Sequence, residues 1–178
     1  MFKNEFPKVF DEERYPTKRI VLSSVMAQFG PLGLLSSITV RGKMLVQDLW
    51  RAGCDWDAII DEVSFGKWRH WLQIMRNIGS FKLPRSYFGN FKSNEITDLQ
   101  LHVFAYASEV AHGCVPYFRA IVRGEVKCSL VSSRSRVAPL KQVSIPRLEL
   151  LAAVFGAHLS RKVLESHNHR VSRARNAY

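Results

Sequence analysis

The sequence predicts an α+β protein in which a helical first half is followed by strands and one further helix. Apolar residues recur at helical spacing up to about residue 80, and from residue 99 apolar and polar residues alternate as in strands. A helix with an early proline follows the strands. Because 47% of the 178 residues are hydrophobic, the chain can build a core and is predicted to fold.

Three helices are predicted in the first half. Thr17 is a suitable N-cap for the first helix, whose apolar face ends at Gly30-Pro31. The second begins near Ser37 and is followed by Gly53, as is typical of a helix C-terminus. We expect Asp57 to cap the third helix. Core packing is the preferred interpretation of its tryptophans and a base-stacking platform is the alternative. The apolar stripe of this helix consists of Trp68, Trp71, Leu72, Met75 and Ile78.

Three antiparallel strands and a helix are predicted in the second half. Residues 99–106 alternate as a half-buried strand does. Residues 115–122 and 126–132 are two further strands, and the intervening Arg123-Gly124-Glu125 contains a glycine suited to a hairpin turn. Pro146 then lies at an early position of the helix, where its missing N–H costs nothing.

These patterns divide the chain into four segments. Residues 1–15 form an irregular N-terminal edge and residues 16–80 a helical bundle. Residues 81–164 contain the strands and the last helix, and residues 165–178 form a basic tail that is predicted to be disordered. Because the strand pattern is not resumed after the helix, the second domain is predicted to be incomplete at its C-terminus.

The charge of the chain indicates its partner. Twenty-six Lys and Arg residues against 15 Asp and Glu residues give a net charge of +11, which attracts polyanions such as nucleic acid. No apolar run is long enough to cross a membrane and no signal peptide is visible, so we expect an intracellular protein without membrane association. The three cysteines lack a Cys-x-x-Cys spacing and are predicted to be reduced thiols.

Three stretches carry a family resemblance, and they share one order and spacing over about residues 16–164. The first runs from Pro16 to Ser36 and continues through Arg41-Gly42-Lys43 and Gln47-Asp48-Leu49-Trp50, the second runs from Leu101 to Glu109, and the third joins Ser133 to Leu140 with Ile145 to Leu150. In these stretches the chain resembles the BEL/Pao family of retrotransposon polyproteins. The resemblance implies a reverse transcriptase thumb or connection that leads into the front half of a ribonuclease H-like domain.

The resemblance also implies partners. They are the rest of the polyprotein and nucleic acid, either an RNA–DNA hybrid or a primer–template. Regions of this kind are often labelled as Pao retrotransposon peptidase, but an aspartic peptidase needs an Asp-Thr-Gly or Asp-Ser-Gly turn and the chain has neither. We therefore expect the peptidase to lie elsewhere in the polyprotein.

The candidate catalytic residues follow from the same resemblance. Two-metal hydrolysis needs several carboxylates around two Mg²⁺ ions about 4 Å apart. Tyr106 occupies the family's first aspartate position, and a phenol with a reference pKa of about 10 is a poor Mg²⁺ ligand. Glu149 is the one matched carboxylate, a residual metal and catalytic position, with an ordinary acid near a helix N-terminus as the alternative. No cofactor is expected for this chain, although the family uses Mg²⁺.

Basic residues around the last helix complete the candidate site. Arg134, Arg136 and Arg147 are predicted to contact phosphates, with a solvated basic edge as the alternative. The leading hypothesis is a polyprotein fragment that binds nucleic acid during reverse transcription and has an inactive ribonuclease H-like site, although its parent family is enzymatic. The alternatives are a non-enzymatic nucleic-acid-binding module and a decayed element product without function.

Overall fold

A computed structural model describes residues 13–28, 30–78, 86–90, 95–167 and 173–177. The chain divides into two compact units. Unit 1 comprises Met1–Pro31 and Leu35–Leu83, and unit 2 comprises Leu32–Leu34 and Pro84–Tyr178. Each unit has a hydrophobic core of its own.

Unit 1 contains the three predicted helices, α1 (Lys18–Met26), α2 (Ser36–Arg51) and α3 (Glu62–Ile78). The Thr17 hydroxyl accepts a hydrogen bond from the backbone N–H of Ile20, which confirms the predicted N-cap of α1. These helices surround a core that is rich in large side chains.

The predicted N-cap of α3 is wrong. Asp57 is engaged instead by Arg19, whose Nε lies 2.8 Å from Asp57 Oδ1. The cap is Asp61, which accepts a hydrogen bond of 2.9 Å from the backbone N–H of Ser64 and one of 2.8 Å from its hydroxyl. These hydrogen bonds lower the pKa of the Asp61 carboxyl. Both aspartates precede the apolar stripe, but α3 begins at Glu62, directly after Asp61.

The tryptophans of α3 are core residues. Trp68 is 1% exposed and Trp71 is 2% exposed, and their stacked rings have centroids 5.3 Å apart. The Trp71 indole N–H donates a hydrogen bond of 3.2 Å to the Ile38 carbonyl, so its polar atom is satisfied inside the core. Core packing is therefore confirmed for this pair, and the base-stacking alternative is wrong.

Unit 2 is a mixed sheet with one long helix. The elements follow in the order β1 (Ile96–Ala107), β2 (Ala111–Val122), β3 (Glu125–Leu130), β4 (Arg134–Val137), α4 (Ile145–Ser166) and β5 (Arg173–Ala177). The sheet order is β3-β2-β1-β5, and β4 also pairs with β2. The pairs β1–β2, β2–β3 and β2–β4 are antiparallel, which confirms the three predicted strands and the α+β class.

Two strands, β4 and β5, extend the predicted sheet. β5 pairs in parallel with β1, from Gln100↔Arg173 to Phe104↔Ala177. The predicted disorder of the tail is therefore wrong for residues 173–177. Their sequence is basic and lacks apolar alternation. The strand forms because its backbone groups satisfy the edge of β1, an interaction that no local pattern records.

Backbone conformation explains two local features of β2. The β2–β3 hairpin turns at Arg123 and Gly124, whose φ values of +52° and +85° have the signs of a type I′ turn. Pro116 lies between the last β3 pair and the first β4 pair, and its carbonyl accepts a hydrogen bond of 3.0 Å from Val131 N. The N–H that proline lacks therefore falls where β2 changes partner.

Small residues bring α4 close to one face of the sheet. Ala152, Gly156 and Ser160 lie one turn apart and are all buried. A Cβ atom on Gly156 would stand 3.3 Å from Val103 Cγ1 and 3.7 Å from Cys114 Cβ, so the helix and strands approach closely. We call the face of the sheet that contacts α4, which includes Val103 and Cys114, the helix-side face. Because successive side chains of a strand point to opposite faces, the β1 residues on either side of Val103 point to the other side of the sheet.

Candidate nucleic-acid interface

The C-terminal end of β1 collects most of the candidate site residues. The end of β4 meets it, because Ala138 N donates a hydrogen bond of 2.9 Å to Val110 O in the β1–β2 connection. Leu148, in the first turns of α4, packs with Ala107 and Ala138. The candidate site residues that lie within two positions of Ala107, Ala138 and Leu148 therefore share this end of unit 2. They are Tyr106, Arg136, Arg147 and Glu149.

Tyr106 and Glu149 differ in which face of the sheet they occupy. Ala105 and Ala107 pack toward α4, so strand alternation directs Tyr106 to the opposite face, where it is 76% exposed. Glu149 lies on α4 and is also exposed. The structure thus brings the two positions to the same end of unit 2 without placing them on one face.

The donor set of this end does not fit a pair of Mg²⁺ ions. Magnesium requires oxygen ligands in near-ideal octahedral geometry, and carboxylates supply them in two-metal sites. Here the strand position carries a solvent-facing phenol and the helix position one exposed carboxylate. Within the described residues, no three His, Cys, Asp or Glu side chains are grouped so that they could hold a metal ion.

Arg134 and Arg136 lie on the helix-side face. They pair with Cys114 and His112, which are buried toward α4. The Arg136 guanidinium stands 4.4 Å from the centroid of the Phe155 ring of α4, within the range of a cation–π interaction. This contact holds one exposed arginine beside the helix.

Arg147 approaches the same region from α4 itself. It lies in the first turn of the helix, is exposed, and its backbone N–H donates a hydrogen bond of 3.1 Å to Ser144 O. The three predicted phosphate contacts therefore come from β4 and from the start of α4. Their shared sign gives this side of unit 2 a positive edge.

His112 pairs with Arg136 across β2 and β4. Its ring is buried, with its centroid 5.3 Å from that of Phe155, and among the described residues its Nδ1 has no hydrogen-bond partner. Burial first, and the Arg136 charge second, lower the pKa of His112, so the ring is neutral at pH 7. The burial of His112 is indicated in the sequence by the alternation of β2, in which every second residue points toward α4.

The opposite side of the sheet carries a cluster of rings, which we call the aromatic face and define as Phe104, Tyr106 and Tyr117. Phe104 is 48% exposed. Its ring meets that of Tyr117 edge-on, with centroids 6.1 Å apart and planes at 74°. In the sequence, this face is indicated by the alternation of Phe104 and Tyr106 with the small Ala105 and Ala107. Alternation alone cannot say which side a helix covers.

A family model named Pao retrotransposon-like RNaseH-like domain matches residues 17–176. The chain belongs to this family. Membership agrees with the topology of unit 2, in which four strands joined by antiparallel pairs and a helix are followed by a strand parallel to the first. No curated protein and no solved structure matches the chain. No helix in the described ranges has both the length and the apolar character to cross a membrane.

Proposed function

We propose that this Pao RNaseH-like chain binds an RNA–DNA hybrid or a primer–template during reverse transcription, as part of a larger polyprotein, and does not cleave it by the two-metal route. The observation that carries the proposal is Tyr106. The position that resembles the family's first carboxylate holds an exposed phenol, while arginines line the same end of unit 2.

Binding is supported by charge and by its placement. The chain carries a net charge of +11, and Arg134, Arg136 and Arg147 are all exposed around the start of α4. Arginines that contact phosphates release condensed counterions, so affinity is independent of sequence and falls steeply with salt. Because phosphate contacts position a ligand without reading its bases, we expect no sequence preference at this edge.

The absence of two-metal cleavage follows from coordination chemistry. A phenol stays protonated at pH 7 and offers a weak neutral oxygen in place of a carboxylate. Among the positions matched to the family, Glu149 supplies the one anionic group, whereas a second metal needs additional carboxylates to offset its charge. Glu149 in the present chain therefore acts as a surface acid near the start of α4.

The binding claim is tested with a labelled RNA–DNA hybrid, measured by fluorescence anisotropy between roughly 50 and 200 mM salt. Arg134→Ala with Arg136→Ala is expected to weaken binding and to reduce the slope of log affinity against log salt by about 1 per lost contact. Arg161→Ala is the matched control, because Arg161 is an exposed α4 arginine paired with Glu165 at 2.8 Å. Equal losses in both variants would contradict the proposed binding edge.

The claim of inactivity is tested by incubating the purified chain with the same hybrid and Mg²⁺. The hybrid is expected to remain intact. Glu149→Gln distinguishes a contaminating nuclease from the chain itself, because cutting by a contaminant is the same in both preparations. Cutting that disappears in Glu149→Gln would overturn the proposal.

A further inference from the structure

We infer that the aromatic face of unit 2 is a stacking surface for single-stranded nucleic acid. This surface lies on the side of the sheet opposite α4, away from Arg134 and Arg136. The inference takes nucleic acid as ligand from the proposed function, but it assigns a different strand form to a different face. A duplex keeps its bases stacked on one another, so only unpaired bases are free to meet these rings.

The rings are held in place by the strand that carries them. Phe104 and Tyr106 are two residues apart on β1, so their side chains leave the same face about 7 Å apart. β1 has β2 on one side and β5 on the other. Tyr117 meets Phe104 edge-on and limits its rotation. Two exposed rings on one inner strand give one place for each of two successive bases.

The net charge of +11 favours a polyanion as the occupant of this face. β5 places Arg173 and Arg175 in register with Gln100 and His102, on the strand beside the ring-bearing row. The Asp98 carboxylate also lies near this row, and Arg119 Nη1 is 3.6 Å from it, which offsets its charge. A positively charged chain that exposes two neighbouring rings matches the backbone and the bases of a single strand.

A second copy of the chain is a poorer occupant. Two copies that joined through this face would bring together two chains that each carry +11. Like charges in an interface oppose association. A single strand instead supplies negative charge and flat apolar bases together, which are the two properties that the face can bind.

The experiment measures binding of a labelled single-stranded RNA and of the RNA–DNA hybrid to the full chain. Tyr106→Ala is expected to weaken single-strand binding by at least about 5-fold, the lower limit for losing one base–aromatic stack. Phe104→Ala is expected to act in the same direction. Tyr106→Phe keeps the ring and is expected to bind like the parent. Leu150→Ala, which removes an exposed apolar side chain of α4, is the control and is expected to change nothing.

Two further measurements keep the result interpretable. Phe104→Leu retains an apolar contact for Tyr117 but has no ring, so it tests stacking if Phe104→Ala fails to fold. Ultraviolet crosslinking to single-stranded RNA is expected to give adducts on the β1 peptide. Unchanged single-strand affinity in Tyr106→Ala and Phe104→Leu would overturn the inference. Tyr106-dependent self-association without an effect on RNA would overturn it too, because a second copy would then cover the face.

The inference and the proposed function can fail separately. Suppose that hybrid binding depends on Arg134 and Arg136 and that Tyr106→Ala leaves single-strand affinity unchanged. The proposed function then stands and the inference fails. If single-strand binding needs Tyr106 and Phe104 but the hybrid does not bind, the aromatic face stands and the proposed hybrid edge fails.

Discussion

Helix α3 of unit 1 and strand β1 of unit 2 use aromatic side chains in opposite ways. Unit 1 buries Trp68 and Trp71 in its core, whereas unit 2 exposes Phe104 and Tyr106 on a strand. The helix of unit 2 packs through small residues, among them Gly156. Packing in unit 1 therefore relies on the large rings of α3, whereas α4 of unit 2 packs by close approach to a sheet whose core also buries Phe118.

This difference teaches how to interpret an aromatic residue in this family member. A buried ring contributes to the free energy of folding, so its presence needs no other explanation. An exposed ring on a strand contributes little to folding, and a second such ring two residues away forms a surface. The rings of β1 are therefore candidates for binding, and those of α3 are not.

The largest expected effect is on the core of unit 1. Trp68→Ala should lower the free energy of unfolding by about 3–5 kcal/mol, because it leaves a cavity that the surrounding helices fill only in part. Urea denaturation followed by tryptophan fluorescence measures this. All four tryptophans lie in unit 1, so the signal reports that unit alone.

Trp50→Ala is the matched control for Trp68. Trp50 is 48% exposed, and the Lys18 ammonium lies 3.7 Å from the centroid of its ring. Its loss should cost about 1 kcal/mol, the size of a partly exposed cation–π interaction. Equal losses in the two variants would show that burial does not determine the role of an aromatic residue in unit 1.

The second prediction concerns the helix–sheet contact of unit 2. Gly156→Val should destabilise unit 2 by about 1–3 kcal/mol, because the added side chain meets Val103 and Cys114 at distances that leave it no room. Hydrogen exchange of the β1 and β2 amides reports on this unit. Unchanged protection of these amides would contradict the close approach of α4.

A smaller effect is expected from pH at His112. Its folded-state pKa is lowered, so below its ordinary value of about 6.5 the unfolded chain binds a proton that the folded chain resists. The contribution of neutral His112 to the free energy of unfolding is therefore fully present above that pH. It is lost as the pH falls toward the lower pKa of the folded state. His112→Phe should reduce this loss between about pH 7 and 5. Hydrogen exchange of β2 at the two pH values tests it, and an identical pH dependence in both proteins would contradict it.

Local patterns were sufficient for most of the secondary structure. The Thr17 cap, the stripe of α3 and the alternation of β1 each reside in a few adjacent residues, and the elements formed where these patterns lie. The incorrect predictions all involve distant partners. Asp57 pairs with the distant Arg19 while Asp61 caps α3, and β5 forms along the edge of β1.

The candidate site was predictable only in part for the same reason. The family resemblance located Tyr106 and Glu149 in the sequence, but the face that each occupies depends on where α4 packs. Burial first, beside Phe155, and the Arg136 charge second lower the pKa of His112, and both neighbours are remote in sequence. The exposure of Phe104 likewise follows from the one-sided packing of a helix that begins much later in the chain.

The smallest expected effect comes from a glycine substitution that changes helix propensity without changing packing. Gly66 lies inside α3, and a Cβ added there would meet nothing within 4 Å, in contrast to Gly156 of α4. Gly66→Ala should therefore stabilise unit 1 by about 0.5–1 kcal/mol, because alanine loses less backbone entropy in a helix. Tryptophan fluorescence in urea measures the change. Destabilisation would mean that the outer face of α3 is covered by another surface, and the contrast between the two helical glycines would then be lost.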